Sequence, residues 1–422
     1  MSGFLRHTLT DPEFIAAHRQ RPQDFTRTRA LPFATVVTWL LLNFQSSMRQ
    51  SLQRLLDDLC HGRFTAVTKG AISQARVKLK ASALIALNEG LLRQADEGAR
   101  LARWMGHRLL AIDGSSLHLH AFAELAKAFG GLHHGNGLRP LARVSFAFDV
   151  LNRVVVSAAL APWKQGERVL FAQQLDAFND DDLLLFDRGY PALWLFALVR
   201  ARGAHFCARL DEGQWSRAFD LLLNQTRELC YVAPLSRRAQ RVCAEFGVQC
   251  TSLRLRVLRV KLPNGEHEYL VTSLLDAQRY PHHLFTDLYD RRWGVEEAFK
   301  QIKARLTVEN FSGKSALAVE QDFHARVLLL NLTNLFVLEA DRRIARDTAH
   351  RQHRYQTNRH FALALLRKTL PRLLLASTGV RLIGALLQRM SSEAESIRPE
   401  RSYPRDFKRA RCRYPLAYKA VA

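Results

Sequence analysis

Two short apolar runs each end in an aspartate: Arg108-Leu-Leu-Ala-Ile-Asp113 and Asp182-Leu-Leu-Leu-Phe-Asp187. Runs this short and this apolar read as strands buried on both faces, inside a sheet covered by helices. An acid that ends such a strand stands at the sheet edge where open sheets place ligand sites. Asp is also a common turn residue, and each acid here leads into a glycine-containing turn, so neither alone is decisive. Side by side, two carboxylates repel unless protons or cations intervene. An all-oxygen donor set suits magnesium or manganese.

The surrounding pattern gives these strands a context. Val144–Leu151 and Arg153–Leu160 read as strands meeting at Asn152 in a hairpin. Gln165–Phe178 and Pro191–Arg202 read as helices, and Ala204–Leu210 as a strand. The order strand, strand, strand, helix, strand, helix, strand predicts an α/β fold with a ribonuclease-H-like core, a mixed sheet flanked by helices. Residues 1–100 are expected to form a helical N-terminal DNA-binding domain and residues 101–310 the core. A β-rich insertion over 211–282 is expected to interrupt that core, with strands at Glu228–Ala233, Thr251–Leu262 and His267–Leu275. A helical C-terminal region over 311–390 and a basic tail over 391–422 complete the expected organisation.

Charge narrows the partner. Lys and Arg number 62 against 39 acids, a formal net charge of +23. Such an excess gathers polyanions, and nucleic acid is the first to consider. The six cysteines are scattered, with no CxxC pair, which argues against a zinc knuckle or a disulfide framework. The N-terminus lacks a signal-peptide pattern, and the longest apolar stretches, Leu31–Phe44 and Val327–Ala340, are interrupted. A cytoplasmic protein with no membrane partner is expected.

A basic helix is expected over Thr68–Lys80. Ile72, Ala75 and Leu79 repeat at helical spacing and face a core, leaving Ser73, Gln74, Arg76, Lys78 and Lys80 as candidate DNA contacts. A solvated surface helix would look the same. A second helix is expected from about Thr286 to Leu306. Projected at about 100° per residue, it gathers Tyr289, Arg292, Glu296, Lys300 and Lys303 into one sector. Leu288, Val295, Phe299, Ile302 and Leu306 fill the neighbouring apolar sector. A carboxylate among cations suits a metal ligand beside a phosphate track. An ordinary Glu296–Lys300 pair on a charged face is the plainer alternative. Glu297 projects about 100° from Glu296 and is set aside. His133 and His134 sit in a glycine-rich loop and are read as solvent-facing. His118 and His120, which follow Asp113, are assigned no role.

Tyr289-x2-Arg292-x3-Glu296-x6-Lys303 resembles the Tyr–Arg–Glu–Lys signature of bacterial insertion-sequence DDE transposases, the insertion-sequence-four family. Asp113 in Ile-Asp-Gly-Ser and Asp187 in Phe-Asp-Arg-Gly-Tyr resemble that family's first and second catalytic acids. The β-rich insertion, the Thr68–Leu79 segment, Asn310–Lys314 and the basic tail are also similar, so the resemblance covers almost the whole chain. It implies that Asp113, Asp187 and Glu296 hold two Mg2+ or Mn2+ ions. It further implies that Tyr289, Arg292, Lys300 and Lys303 hold phosphates near the cut end. Trp215 and Tyr269 are candidates for stacking a flipped base. The expected partners are double-stranded DNA, as terminal inverted repeats and target, and a second copy of the chain in a synaptic complex. The expected activity is cut-and-paste DNA transposition. A ribonuclease-H-like nuclease without strand transfer, or a domesticated DNA-binding derivative, are the alternatives.

Overall fold

The computed structural model describes residues 2–27, 31–42, 48–60, 67–98, 101–134, 137–211, 221–223, 226–261, 265–376 and 379–398. They form two compact units. The first joins residues up to 100, 117–141 and from 300 onward; the second comprises 101–116 and 142–299.

The second unit is built on a mixed sheet. Its strands are β1 (Arg108–His118), β3 (Gly137–Asp149), β4 (Val154–Pro162), β5 (Asp182–Phe186), β6 (His205–Arg209), β7 (Glu228–Pro234), β8 (Ser252–Lys261) and β9 (His267–Thr272). The order across the sheet is β3-β1-β5-β6-β9-β8-β7, with β4 outside β3. β1, β5 and β6 run parallel, and the rest of the described ladders are antiparallel. The first residues of β3 pair with β2 (Gly131–His134) in the first unit. This is the mixed, helix-flanked sheet of the expected ribonuclease-H-like core.

The expected hairpin is present. It turns through Val150–Arg153, where Asp149 Oδ1 accepts the backbone N–H of Leu151 and Asn152. The expected insertion strands also form, as a continuation of the main sheet through β9 against β6. A helix at Arg237–Glu245, not expected from the sequence, lies between β7 and β8 and is capped by Ser236. Trp215 and the basic tail beyond residue 398 lie outside the described residues.

Alternation along the strands gives the sheet two faces. Leu110, Ile112, Leu184 and Phe186 turn toward Phe171, Leu195 and Phe196 from the helices Glu167–Ala172 and Leu193–Ala201. Leu109, Leu183, Leu185 and Cys207 turn the other way, toward Phe285, Leu288 and Tyr289 on the helix Leu284–Asp290. Odd-numbered residues of β1 and β5 therefore face the Leu284–Asp290 helix.

In the first unit, helices from both ends of the chain share one core. The helix Lys69–Val77, capped by Thr68, packs on the helix Ala316–Asp347. Arg76 is the tie. Its guanidinium donates to Gln321 Oε1 (2.9 Å), Ser312 Oγ (2.7 Å), the Ala318 carbonyl (3.1 Å) and Asp322 Oδ1 (3.1 Å). Gln321 Nε2 donates in return to the carbonyls of Arg76 and Leu79. Burial pushes the Asp322 carboxyl up, but Arg76, Arg326 and Ser312 outweigh it and hold it below its ordinary value. Residues up to 100 and from 300 onward fall in the same compact unit. Among the described residues no helix is long and apolar enough to cross a membrane.

Removing one partner of a buried ion pair leaves the other charge stranded, at about 3–5 kcal/mol. Arg76→Ala is expected to lower unfolding stability by that order. Urea denaturation of parent and variant checks this; a loss under about 1 kcal/mol, the size of a surface pair, would refute it.

Candidate active site

β1 and β5 are aligned over five successive pairs, from Arg108 with Asp182 to Ile112 with Phe186. One step further, Asp113 and Asp187 stand side by side, on strands about 4.8 Å apart. Both are odd-numbered and share the face covered by Leu284–Asp290. Asp187 follows the last residue of β5, as expected. Asp113 does not end its strand, a correction to the sequence reading: β1 continues to His118, because β3 still runs alongside it. Each carboxylate accepts a glycine N–H from its own turn, Asp113 from Gly114 (2.8 Å) and Asp187 from Gly189 (2.9 Å).

Burial pushes the Asp113 carboxyl up to about 6. The Gly114 N–H opposes this, the Asp187 charge adds to it, Arg292 opposes it and Glu167 adds to it. A buried acid beside a second acid is poised for a divalent cation, which relieves the repulsion that raises its pKa. The pair therefore fits such an ion by the chemistry of its donors.

The signature segment is not one continuous helix. Leu284–Asp290 is α-helical, Arg291–Trp293 is a 3-10 turn, Gly294–Lys300 is α-helical and Gln301–Arg305 is a π-turn. The chain tightens where it approaches β3. A Cβ on Gly294 would sit 3.3 Å from Val150, and Phe299 stacks on Phe146 with ring centroids 4.4 Å apart. The expected apolar sector is buried throughout: Leu288, Val295, Phe299, Ile302 and Leu306.

The expected polar sector does not form one exposed track. Tyr289 is buried, and its hydroxyl donates to the carbonyl of Phe186 (3.2 Å), the residue before Asp187. Arg292 is buried, with its guanidinium carbon 5.7 Å from the Tyr289 ring and 4.4 Å from the Trp293 ring. Neither side chain is exposed: Tyr289 bonds the end of β5, and the Arg292 charge lies close enough to Asp113 to favour its ionised form. Glu296 is half-buried on the Gly294–Lys300 helix, and Glu297 is exposed. Among the described residues no three His, Cys, Asp or Glu side chains are gathered closely enough to hold a metal, so Asp113, Asp187 and Glu296 do not form one ligand group here. Lys300, exposed, and Lys303, half-buried, fall in the first unit.

Of the Thr68–Lys80 candidates, Arg76 is corrected: it is buried and committed to Asp322, so it does not face DNA. Gln74 is exposed, and Ser73, Lys78 and Lys80 are half-buried. Lys80 Nζ donates to the carbonyl of Ala17. Gln74 and Lys78 border two clefts of about 660 and 820 Å³, and Ser73 borders the larger. Tyr269 is half-buried on β9 opposite Arg259 and packs against the core. His118 is exposed, and its backbone N–H donates to Glu309.

One acid was missed. Glu167 begins the helix after β4 and lies against Gly114, where a Cβ would sit 2.7 Å from its Cδ. Arg143 Nη1 donates to it at 2.7 Å. The next residue, Arg168, donates to the carbonyl of Gly189. The segment Gln165-Gly166-Glu167 was legible as a helix start, but nothing in it pointed to Asp113.

Paired acids on adjacent parallel strands, with helices over their shared face, are an arrangement suited to metal-dependent phosphoryl transfer. Residues 104–332, over half of the chain, match the model of the transposase DDE domain family. The chain belongs to that family: it is a DNA transposase, a DNA-cleaving and strand-transferring enzyme that uses divalent metal. It is 25% identical to the transposase InsG for insertion sequence element IS4 of Escherichia coli strain K12, over 98% of this chain and 95% of that one. It is 26% identical to the putative transposase InsZ of the same strain, over 48% of this chain and 66% of that one. A solved piggyBac transposase synaptic complex with hairpin DNA is similar at a TM-score of 0.44 and 8% identity, over 92% of this chain and 85% of that one.

The Asp113 carboxyl carries a pH signature. Its folded pKa of about 6 lies above its ordinary value of 3.8. A raised carboxylate contributes stability that is fully present below the unfolded value and lost as pH rises through the folded one. In chelating buffer at pH 8, Asp113→Asn is expected to melt at a higher temperature than the parent. The gap should shrink as the pH falls toward 4, where the parent's Asp113 is itself neutral. Calorimetry at the two pH values checks this; equal melting temperatures at both would count against it.

Proposed function

We propose that this transposase excises and inserts an insertion sequence by binding its terminal inverted repeats, with Asp113, Asp187 and Glu296 as the catalytic acids. The observation that carries the reading is the β1–β5 register, which sets Asp113 beside Asp187 on the face shared with the signature helices. Two Mg2+ or Mn2+ ions, when bound, supply activation of water or a 3′-hydroxyl and stabilisation of the leaving oxygen. Asp113 and Asp187 would hold them, and Glu296 would complete the set in the DNA-bound enzyme.

The remaining roles fall to the chain's own groups. The Tyr289 hydroxyl fixes the carbonyl before Asp187, and so the direction in which that acid points. The Arg292 charge steadies the ionised form of Asp113. Lys300 and Lys303 are assigned to DNA phosphates. Ser73, Gln74, Lys78 and Lys80 are assigned to the terminal repeat, with Gln74 best placed by exposure to reach base edges. Trp215 and Tyr269 are assigned to base stacking. Two copies of the chain pair the element's two ends, and the reaction takes place in the cytoplasm.

Asp113→Asn, Asp187→Asn and Glu296→Gln are each expected to reduce cleavage and strand transfer on end DNA below detection. Gel-shift affinity should stay near that of the parent, since the phosphate contacts remain. Near-parental cutting by Glu296→Gln would remove that residue from the site. Strand transfer of a pre-cut end separates this reading from a plain nuclease.

The assigned contacts make different demands on affinity. Lys300→Ala and Lys303→Ala should each lower the salt slope of DNA binding by about one unit. Gln74→Ala should instead leave the slope unchanged and reduce discrimination between end DNA and scrambled DNA, by about 1–3 kcal/mol for a lost bidentate base contact. Unchanged slopes and unchanged discrimination would return these side chains to the solvated surface.

A further inference from the structure

The start of the Glu167–Ala172 helix touches both aspartate turns through adjacent residues. Glu167 lies against Gly114, so closely that a Cβ there would be 2.7 Å from Glu167 Cδ and 3.1 Å from its Oε1. Arg168 Nε donates to the carbonyl of Gly189 at 2.8 Å, in the turn that follows Asp187. Glu167 is itself held: Arg143 Nη1 on β3 donates to Glu167 Oε1 at 2.7 Å, and the Arg143 guanidinium carbon lies 4.3 Å from the Trp163 ring.

We propose that Glu167 is a positioning residue of the metal site: held by Arg143, it fixes the Asp113–Gly114 turn and accepts hydrogen bonds from the water shell of an ion bound there. The proposal rests on the reading that Asp113 and Asp187 hold a divalent ion. A partly exposed Arg–Glu pair is ordinarily worth little, about 0–1 kcal/mol, and needs no function. Two features set this one apart. The acid is packed against the turn of a catalytic aspartate, so closely that a Cβ on Gly114 would have to displace it. Its neighbour anchors the turn of the other aspartate. A carboxylate can accept up to about four hydrogen bonds, so Arg143 leaves acceptor sites on Glu167 for water. Outer carboxylates of this kind typically govern metal affinity by about 10–100-fold.

The test uses the full chain without DNA and reads Mn2+ affinity from the paramagnetic resonance of free Mn2+. Glu167→Gln is expected to weaken Mn2+ binding by about 10–100-fold, with Glu167→Asp in between. Gly114→Ala, which displaces the same carboxylate from the other side, should weaken binding in the parent and add little in the Glu167→Gln background. Asp113→Asn is the control for the underlying reading. If it leaves Mn2+ binding intact, the aspartate pair is not the metal site and the proposal falls with it. If Asp113→Asn loses the ion while Glu167→Gln stays within about twofold of the parent, the aspartate reading stands and Glu167 is an ordinary surface acid. A cooperative thermal transition in each variant shows that it folds.

Discussion

The repulsion between Asp113 and Asp187 is the constraint around which the second unit is arranged. Five aligned residue pairs along β1 and β5 leave the two acids adjacent, with no freedom to slide apart. A one-residue slip would turn every side chain of a strand to the opposite face. It would expose the leucines of β1 or β5 and carry one acid away from the other. The apolar packing that fixes the register, Leu109, Leu183 and Leu185 on one side and Leu110, Ile112 and Phe186 on the other, is what holds like charges together. Stability gained over the length of the strands is set against electrostatic cost at their ends.

The elements around the pair divide its electrostatics between them. From one face, Arg292 adds a positive charge and Tyr289 a hydrogen bond to the strand end. From the helix packed on the other face, Glu167 adds a negative charge tempered by Arg143. The net effect is an Asp113 carboxyl held above its ordinary value, whose ionised form a bound divalent charge would favour.

Much of this was legible in the sequence, and the parts that were not have identifiable causes. β1, β5, β6 and the hairpin around Asn152 were readable because their apolar runs are short, dense and bounded by turn residues. β1 runs past Asp113 because β3 offers it a partner, and Gly114-Ser115-Ser116 carries no apolar signal of its own. The helix Arg237–Glu245 was missed because arginines dominate it, although Ser236 was a readable cap. The signature helix was projected as one cylinder, but a 3-10 turn at Arg291–Trp293 interrupts it just before Gly294 passes close to Val150. No sequence periodicity reports a tertiary approach of that kind. Arg76 is the opposite case. Four residues from Ile72, it projects only about 40° away, on the buried side, and the chemistry of its side chain outweighed its position.

The first unit has a consequence for how the protein is made. Its core is assembled from residues at both ends of the chain, locked by Arg76 against Asp322 and by Asn88 against Asn331. The ribosome delivers these partners far apart in time. At about 5–20 residues per second, the helices before residue 100 wait on the order of ten seconds or more for Ala316–Asp347 to emerge. Over that interval Leu84, Leu87 and Leu91, all buried in the finished unit, lack their final neighbours. The central strands, by contrast, are delivered in one nearly continuous stretch. The nascent chain can therefore hold a formed acid pair before the unit assigned to end recognition exists. Synthesis order alone delays completion of the first unit until Ala316–Asp347 has been made.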